Sequence, residues 1–143
     1  MHITFYEPNN DHYTDEQDFH AGEIYQGYSY YKEGADESVA VLYFALANEL
    51  DCDITQEHIQ CVYEKYDGSA EKFAYIAIEH PVFNYRIEME SAKMHRIVYL
   101  TKVSEDELLS CELLLKKKLA GKRLHDKIMR EFEAMVKSCR WEK

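Results

Sequence analysis

The sequence predicts an α+β fold: an antiparallel sheet of about four to five strands, packed by a buried helix at about 37–50, with a long or kinked helical region at about 105–138. Three observations carry this. Residues 82–89 (VFNYRIEM) alternate cleanly, with Phe83, Tyr85, Ile87 and Met89 on one face and Asn84, Arg86 and Glu88 on the other. Residues 37–50 (ESVAVLYFALANEL) place Val39, Leu42, Tyr43, Leu46 and Leu50 at helical spacing. Beyond Ser104, residues Cys111, Leu114, Gly121, His125, Ile128, Phe132, Met135 and Cys139 follow the four-three spacing of a coiled-coil seam, broken only at Lys118.

In chain order, HITFY at 2–6 alternates and reads as a first strand, which PNND ends in a turn. Thr14 with Gln17 fits a capping box, so a short helix is expected from Asp15 to about Ala21, closed by Gly22. EIYQGYSYY at 23–31 has strand composition, and KEGAD is a loop. Asp36 is a plausible N-cap for the helix at 37–50, in which Val41, Phe44 and Ala45 fill the remaining faces.

Asp53 with Gln56 suggests another capping box, and Ile59, Val62, Tyr63 and Tyr66 a second helix, preferred over a strand at 59–65 and ended by the turn Asp67-Gly68. KFAYIAIE at 72–79 is a short strand. The runs at 82–89 and 94–101 form an antiparallel hairpin around ESAK. Ser104 and Glu107 make a third capping box at the head of the C-terminal helical region, which Gly121 either kinks or lets run through.

The chain length suits one domain, 1–143. No segment approaches the roughly 20 apolar residues of a membrane helix, and MHITFYEPNN lacks the pattern of a signal peptide. A cytoplasmic protein with reduced thiols at Cys52, Cys61, Cys111 and Cys139 is therefore expected.

The net charge is -10, which disfavours direct contact with nucleic acid or an anionic membrane. That charge is unevenly placed. Residues 1–70 hold 15 acids against Lys32 and Lys65, a net of -13, whereas residues 71–143 hold 12 acids and 15 bases, a net of +3. The acids Asp11, Asp15, Glu16, Asp18, Glu23, Asp36 and Glu37 are interleaved with Tyr13, Tyr28 and Tyr30. Carboxylates steer a basic surface inward, and tyrosine rings supply contact area, so these residues are the candidate partner-binding face.

Chemistry is harder to find. DHYTDEQDFH (11–20) is dense in histidine and carboxylate, but on a helix His12 and His20 would stand about 12 Å apart, too far for one metal ion. Cys52, His58 and Cys61 match no compact zinc spacing. No metal or cofactor is expected. The nucleophile elbow, the phosphate loop and the dinucleotide fingerprint are all missing from the chain. The basic stretch KKKLAGKRLHDKIMR (116–130) reads as a solvated helix face, a patch for nucleic acid or an acidic partner, or a surface lying against the acidic half of this chain or of a second copy.

The expectation that follows is a small acidic binding protein that neutralises a basic protein partner, of the immunity, antitoxin or phage counter-defence type, and leaning away from an enzyme. One alternative is a small enzyme or ligand-binding domain with a pocket built on His12, Glu16, His20 and His95. Another is self-association, as a homodimer, through the C-terminal helix with His125, Ile128, Phe132 and Met135 as its seam.

Overall fold

The computed structural model describes residues 2–6, 17–18, 23–31, 37–48, 55–118 and 121–142. Its centre is a six-stranded antiparallel sheet. β3 (Glu23–Tyr31) and β4 (Ser38–Asn48) form a hairpin at one end. The chain then passes through α1 (Gln56–Asp67) to the opposite edge. There β5 (Lys72–Ala77), β6 (Tyr85–Glu90), β7 (Met94–Ser104) and β8 (Glu107–Lys116) step back, neighbour by neighbour. β8 closes against β4, which makes the order β3-β4-β8-β7-β6-β5. The chain ends in α2 (Lys122–Ser138) and β9 (Arg140–Trp141). β9 pairs with β1 (His2–Thr4), which also pairs with β2 (Gln17–Asp18), so a small second sheet ties the N-terminal strand to the C-terminal one.

The coarse class is as expected, and the largest correction is to its contents. Residues 38–48 are a strand, not a helix. The run VAVLYFALA is apolar at both helical and strand periods, and a strand buried on both faces reads as a continuous apolar run. Register decides it: Ala40, Leu42, Phe44 and Leu46 oppose Leu115, Leu113, Cys111 and Leu109, and all eight are buried.

The C-terminal helical region is likewise corrected, to a strand over 107–116 and a helix over 122–138. Ser104 does not cap a helix; its hydroxyl donates to Asp106 and Glu107 across the β7–β8 turn. Gly121 neither kinks a helix nor lies within one, since it is the N-cap of α2. These two reassignments raise the sheet from four or five strands to six. In the expected short helix at 15–21, Gln17 and Asp18 are strand, and the rest lies outside the described residues.

Most other elements lie near where the pattern put them, but β6 begins at Tyr85, and Phe83, expected on one face with Ile87, packs in the core under α2. β3 spans 23–31, and α1 begins one residue after its cap, which is Thr55 rather than Asp53: the Thr55 hydroxyl accepts from the His58 amide at 3.3 Å. Gly68, at φ 91°, ends that helix in a backbone region that favours glycine.

The two helices cover opposite faces of the sheet. α2 brings Ile128, Phe132, Met135 and Val136 down onto Leu42, Phe44, Tyr99, Leu109, Leu113 and Cys111, with Ile3 and Phe5 completing the larger core. α1 brings Ile59, with Tyr63 partly buried, onto a smaller cluster of Ile87, Val98, Leu100 and Leu108.

Candidate functional site

Alternation within the central strands sends one set of side chains to each helix, and both interfaces contain charge. On the α1 face, Arg96 of β7 and Glu112 of β8 point into the cleft beside the helix. Arg96 Nε and Nη2 donate to the two oxygens of Asp67, at the end of α1, at 2.7 and 2.8 Å. Its Nη1 donates to Glu112 Oε1 at 2.8 Å and to the Tyr43 hydroxyl at 3.0 Å. The guanidinium also lies 4.7 Å from the Tyr63 ring centre.

Glu112 accepts further bonds from the Tyr43 hydroxyl at 3.0 Å and, on Oε2, from Ser110 at 2.7 Å. All three charged side chains are almost wholly buried. Burial would lower the Arg96 pKa, but bonds to Asp67 and the charges of Glu112 and Asp67 outweigh it and raise it. Burial and the Glu112 charge push the Tyr43 and Tyr63 hydroxyls up, so both stay protonated donors. The carboxylates and guanidinium thus satisfy one another, which is what a buried charge cluster requires. Beside the cluster lies a cavity of about 320 Å³. Its floor is the small side chains of Ala45, Ala47 and Ser110; its walls are Tyr43, Val62, Tyr63, Tyr66 and His58.

On the α2 face, two tyrosines bracket the helix. The Tyr30 hydroxyl donates to Glu131 at 2.6 Å, and the Tyr99 hydroxyl to Glu133 at 2.7 Å, on opposite flanks of the same helix. Arg86 links Tyr99 (3.0 Å), Glu88 (2.9 Å) and Glu133 (3.4 Å). His95 Nε2 lies 2.7 Å from Glu88, and its ring stacks on His125 at 5.8 Å. Burial would raise the Glu88 carboxyl, but hydrogen bonds from Arg86 and His95 and their charges outweigh it and hold it below its ordinary 4.5. His80 is a structural residue: its Nδ1 accepts from the amides of Val82 and Phe83, which leaves Nε2 to donate to the Val136 carbonyl at 2.8 Å.

Placement of the expected site residues is mixed. Asp11, His12, Tyr13, Asp15, Glu16, His20 and Asp36 lie outside the described residues. Asp18 is in β2 and Glu23 in β3. Tyr30 is buried with its hydroxyl on Glu131, and Tyr28 packs partly buried against the larger core. Glu37 is exposed, with Lys116 at 2.5 Å. The expected oligomer seam is used within the chain: Ile128, Phe132 and Met135 are buried under α2, and His125 stacks on His95.

The sequence reading missed the Arg96–Asp67–Glu112 cluster. Its one available signal was Glu112 and Arg96 inside otherwise apolar strand runs. It also missed that tyrosines pair with carboxylates inside the molecule. Among the thiols, burial pushes Cys111 well up and Cys139 up to about 12, so both are poor nucleophiles; Cys61 is exposed. Among the described residues no three histidine, cysteine or acidic side chains are grouped to hold a metal, and no helix is long and apolar enough to cross a membrane. The chain matches no family model, no curated protein and no solved structure.

Proposed function

We propose that this chain is a small binding protein whose acidic N-terminal half covers a basic surface of another protein and so neutralises it. The observation that carries this is the charge division: net -13 in residues 1–70 against +3 in the remainder. A field that lopsided accelerates association with a basic partner and selects against acidic ones. The internal chemistry supports a binding role. Arg96, Glu112 and Asp67 hold each other, Glu88 is held by Arg86 and His95, and the two buried thiols resist ionisation. The buried Tyr30 ring contributes to the core rather than to the proposed contact face.

The test is affinity capture from host lysate at low and high salt, with captured proteins identified by mass. A basic protein held at low salt and released at high salt supports the reading, and a nucleic-acid-acting protein captured in this way would make this chain an immunity or antitoxin type of inhibitor. With that protein in hand, Asp15→Lys with Asp18→Lys should slow association and flatten its salt dependence. Unchanged association kinetics would overturn the acidic-face role.

The cavity beside α1 favours a second reading, a ligand-binding domain. Filling it with Ala45→Leu should abolish any ligand-induced rise in melting temperature found by small-molecule screening; a rise that survives the substitution places the ligand elsewhere.

A further inference from the structure

On the ligand-binding reading of the cavity beside α1, on which this rests, we infer that the occupant is a small protonated amine with an apolar body. The cavity holds about 320 Å³, near the low end of the roughly 300–1,000 Å³ that ligand pockets span, which suits a metabolite-sized molecule. Its lining sets the body. Ala45 and Ala47 stay half-buried although β4 is an interior strand of the sheet, and Leu100 and Leu108 line the cavity with them. An apolar group laid on these side chains is removed from water, which stabilises it there.

Charge sets the head group. Arg96 and Glu112 line the cavity, and Asp67 accepts two bonds from Arg96. One guanidinium against two carboxylates leaves this buried cluster with a negative charge over. Among the described residues no lysine and no second arginine lines the cavity. A buried net charge is costly until a counter-charge reaches it. Hydrogen bonding points the same way. The Tyr43 and Ser110 hydroxyls donate to Glu112 at 3.0 and 2.7 Å, and Arg96 directs its donors at Asp67, Glu112 and Tyr43. What the two hydroxyls have left is oxygen lone pairs, so they accept. A carboxylate ligand would meet acceptors and negative charge, whereas an ammonium answers both with its N–H groups. The tyrosine walls also suit a cation. The Tyr63 ring already holds the Arg96 guanidinium at 4.7 Å, and Tyr66, 77% exposed, is the ring at the rim that an arriving ammonium meets.

The experiment titrates matched probes into the whole chain at neutral pH and follows backbone amide shifts by NMR. The probes are phenethylamine, phenethyl alcohol and hydrocinnamate, and hexylamine, hexanol and hexanoate. The amines are expected to shift the amides of Ala45, Ala47 and Ser110 and to bind about tenfold or more tightly than the alcohols, with no binding of the carboxylates. Ala45→Leu, which fills the floor, should abolish the binding. Tyr66→Ala, at an exposed position, should weaken the amines roughly two- to fivefold and leave the alcohols unchanged. Alcohols or carboxylates that bind as tightly as the amines, at a site that Ala45→Leu closes, overturn the amine and leave the ligand-binding reading standing. Amine binding that survives Ala45→Leu overturns the cavity as its site. No shift from any probe overturns both the amine and the ligand-binding reading.

Discussion

The two faces of the central sheet solve burial differently. The α2 face is a broad apolar core in which Phe5, Phe44, Phe132, Leu42, Leu109, Leu113 and Leu115 are fully buried, with tyrosine–carboxylate bonds only at its margins. The α1 face has a small apolar cluster and an ion cluster beside it. The lengths of the two helices explain part of this. α2 spans 17 residues and α1 only 12, so α1 leaves the β4 side of its face with half-buried Tyr43, Ala45 and Ala47. What holds α1 is therefore specific as much as hydrophobic: Asp67 anchors the end of the helix to Arg96 of the sheet. Buried ion clusters add little net stability compared with apolar replacements, yet they penalise any misplacement of their members.

This contrast can be broken most forcefully from the α2 side. Phe132→Ala removes the centre of the larger core and should cost about 3–5 kcal/mol in denaturant unfolding. Leu108→Ala in the smaller cluster should fall near the low end of about 2–5 kcal/mol. Equal losses would mean that the two faces are energetically alike.

The ion cluster offers a sharper test. Arg96→Met alone strands Asp67 and Glu112 and should cost about 3 kcal/mol or more, whereas Arg96→Met with Asp67→Leu and Glu112→Leu should be near neutral or stabilising by about 1–4 kcal/mol. A triple variant as unstable as the single one would show that the cluster contributes net stability.

At the margin of the α2 face, Tyr30→Phe leaves Glu131 open to water and should cost about 1 kcal/mol. The smallest effect is the pH dependence from Glu88. Its folded pKa is depressed, so its contribution is present above 4.5 and disappears as pH falls through the lower folded value. Glu88→Gln should flatten the acid limb of the stability curve measured by urea titration; an unchanged limb would assign that limb to other carboxylates.

Local pattern was enough for some elements and not for others. The hairpin of β6 and β7 was legible because Ile87 and Met89 alternate with Arg86 and Glu88, and α1 because its apolar residues recur on one side, although its cap is Thr55 rather than the expected Asp53. β4 was not legible because both its faces are apolar, Val41, Tyr43, Ala45 and Ala47 alternating with Ala40, Leu42, Phe44 and Leu46, and β8 because the apolar residues around Ser110 and Glu112 also fit a helical period. The polar clusters were hidden for another reason. Asp67 and Arg96 are 29 residues apart, and Tyr30 and Glu131 are 101 apart, so nothing local announces the pairing.

By itself the sequence determined the α+β class, the strands at 23–31 and 72–77, the hairpin of β6 and β7, the first helix and the charge division. These depend on side-chain periodicity, turn residues and composition, which act over a few neighbours. Tertiary structure alone decided that two apolar runs became the central strands and that the apolar stripe of α2 faced this chain's own sheet rather than a partner. It also decided that Tyr30, expected on a contact face, turned inward to meet Glu131. Each of those outcomes depends on which surface buries which, and that is set only when distant segments pack.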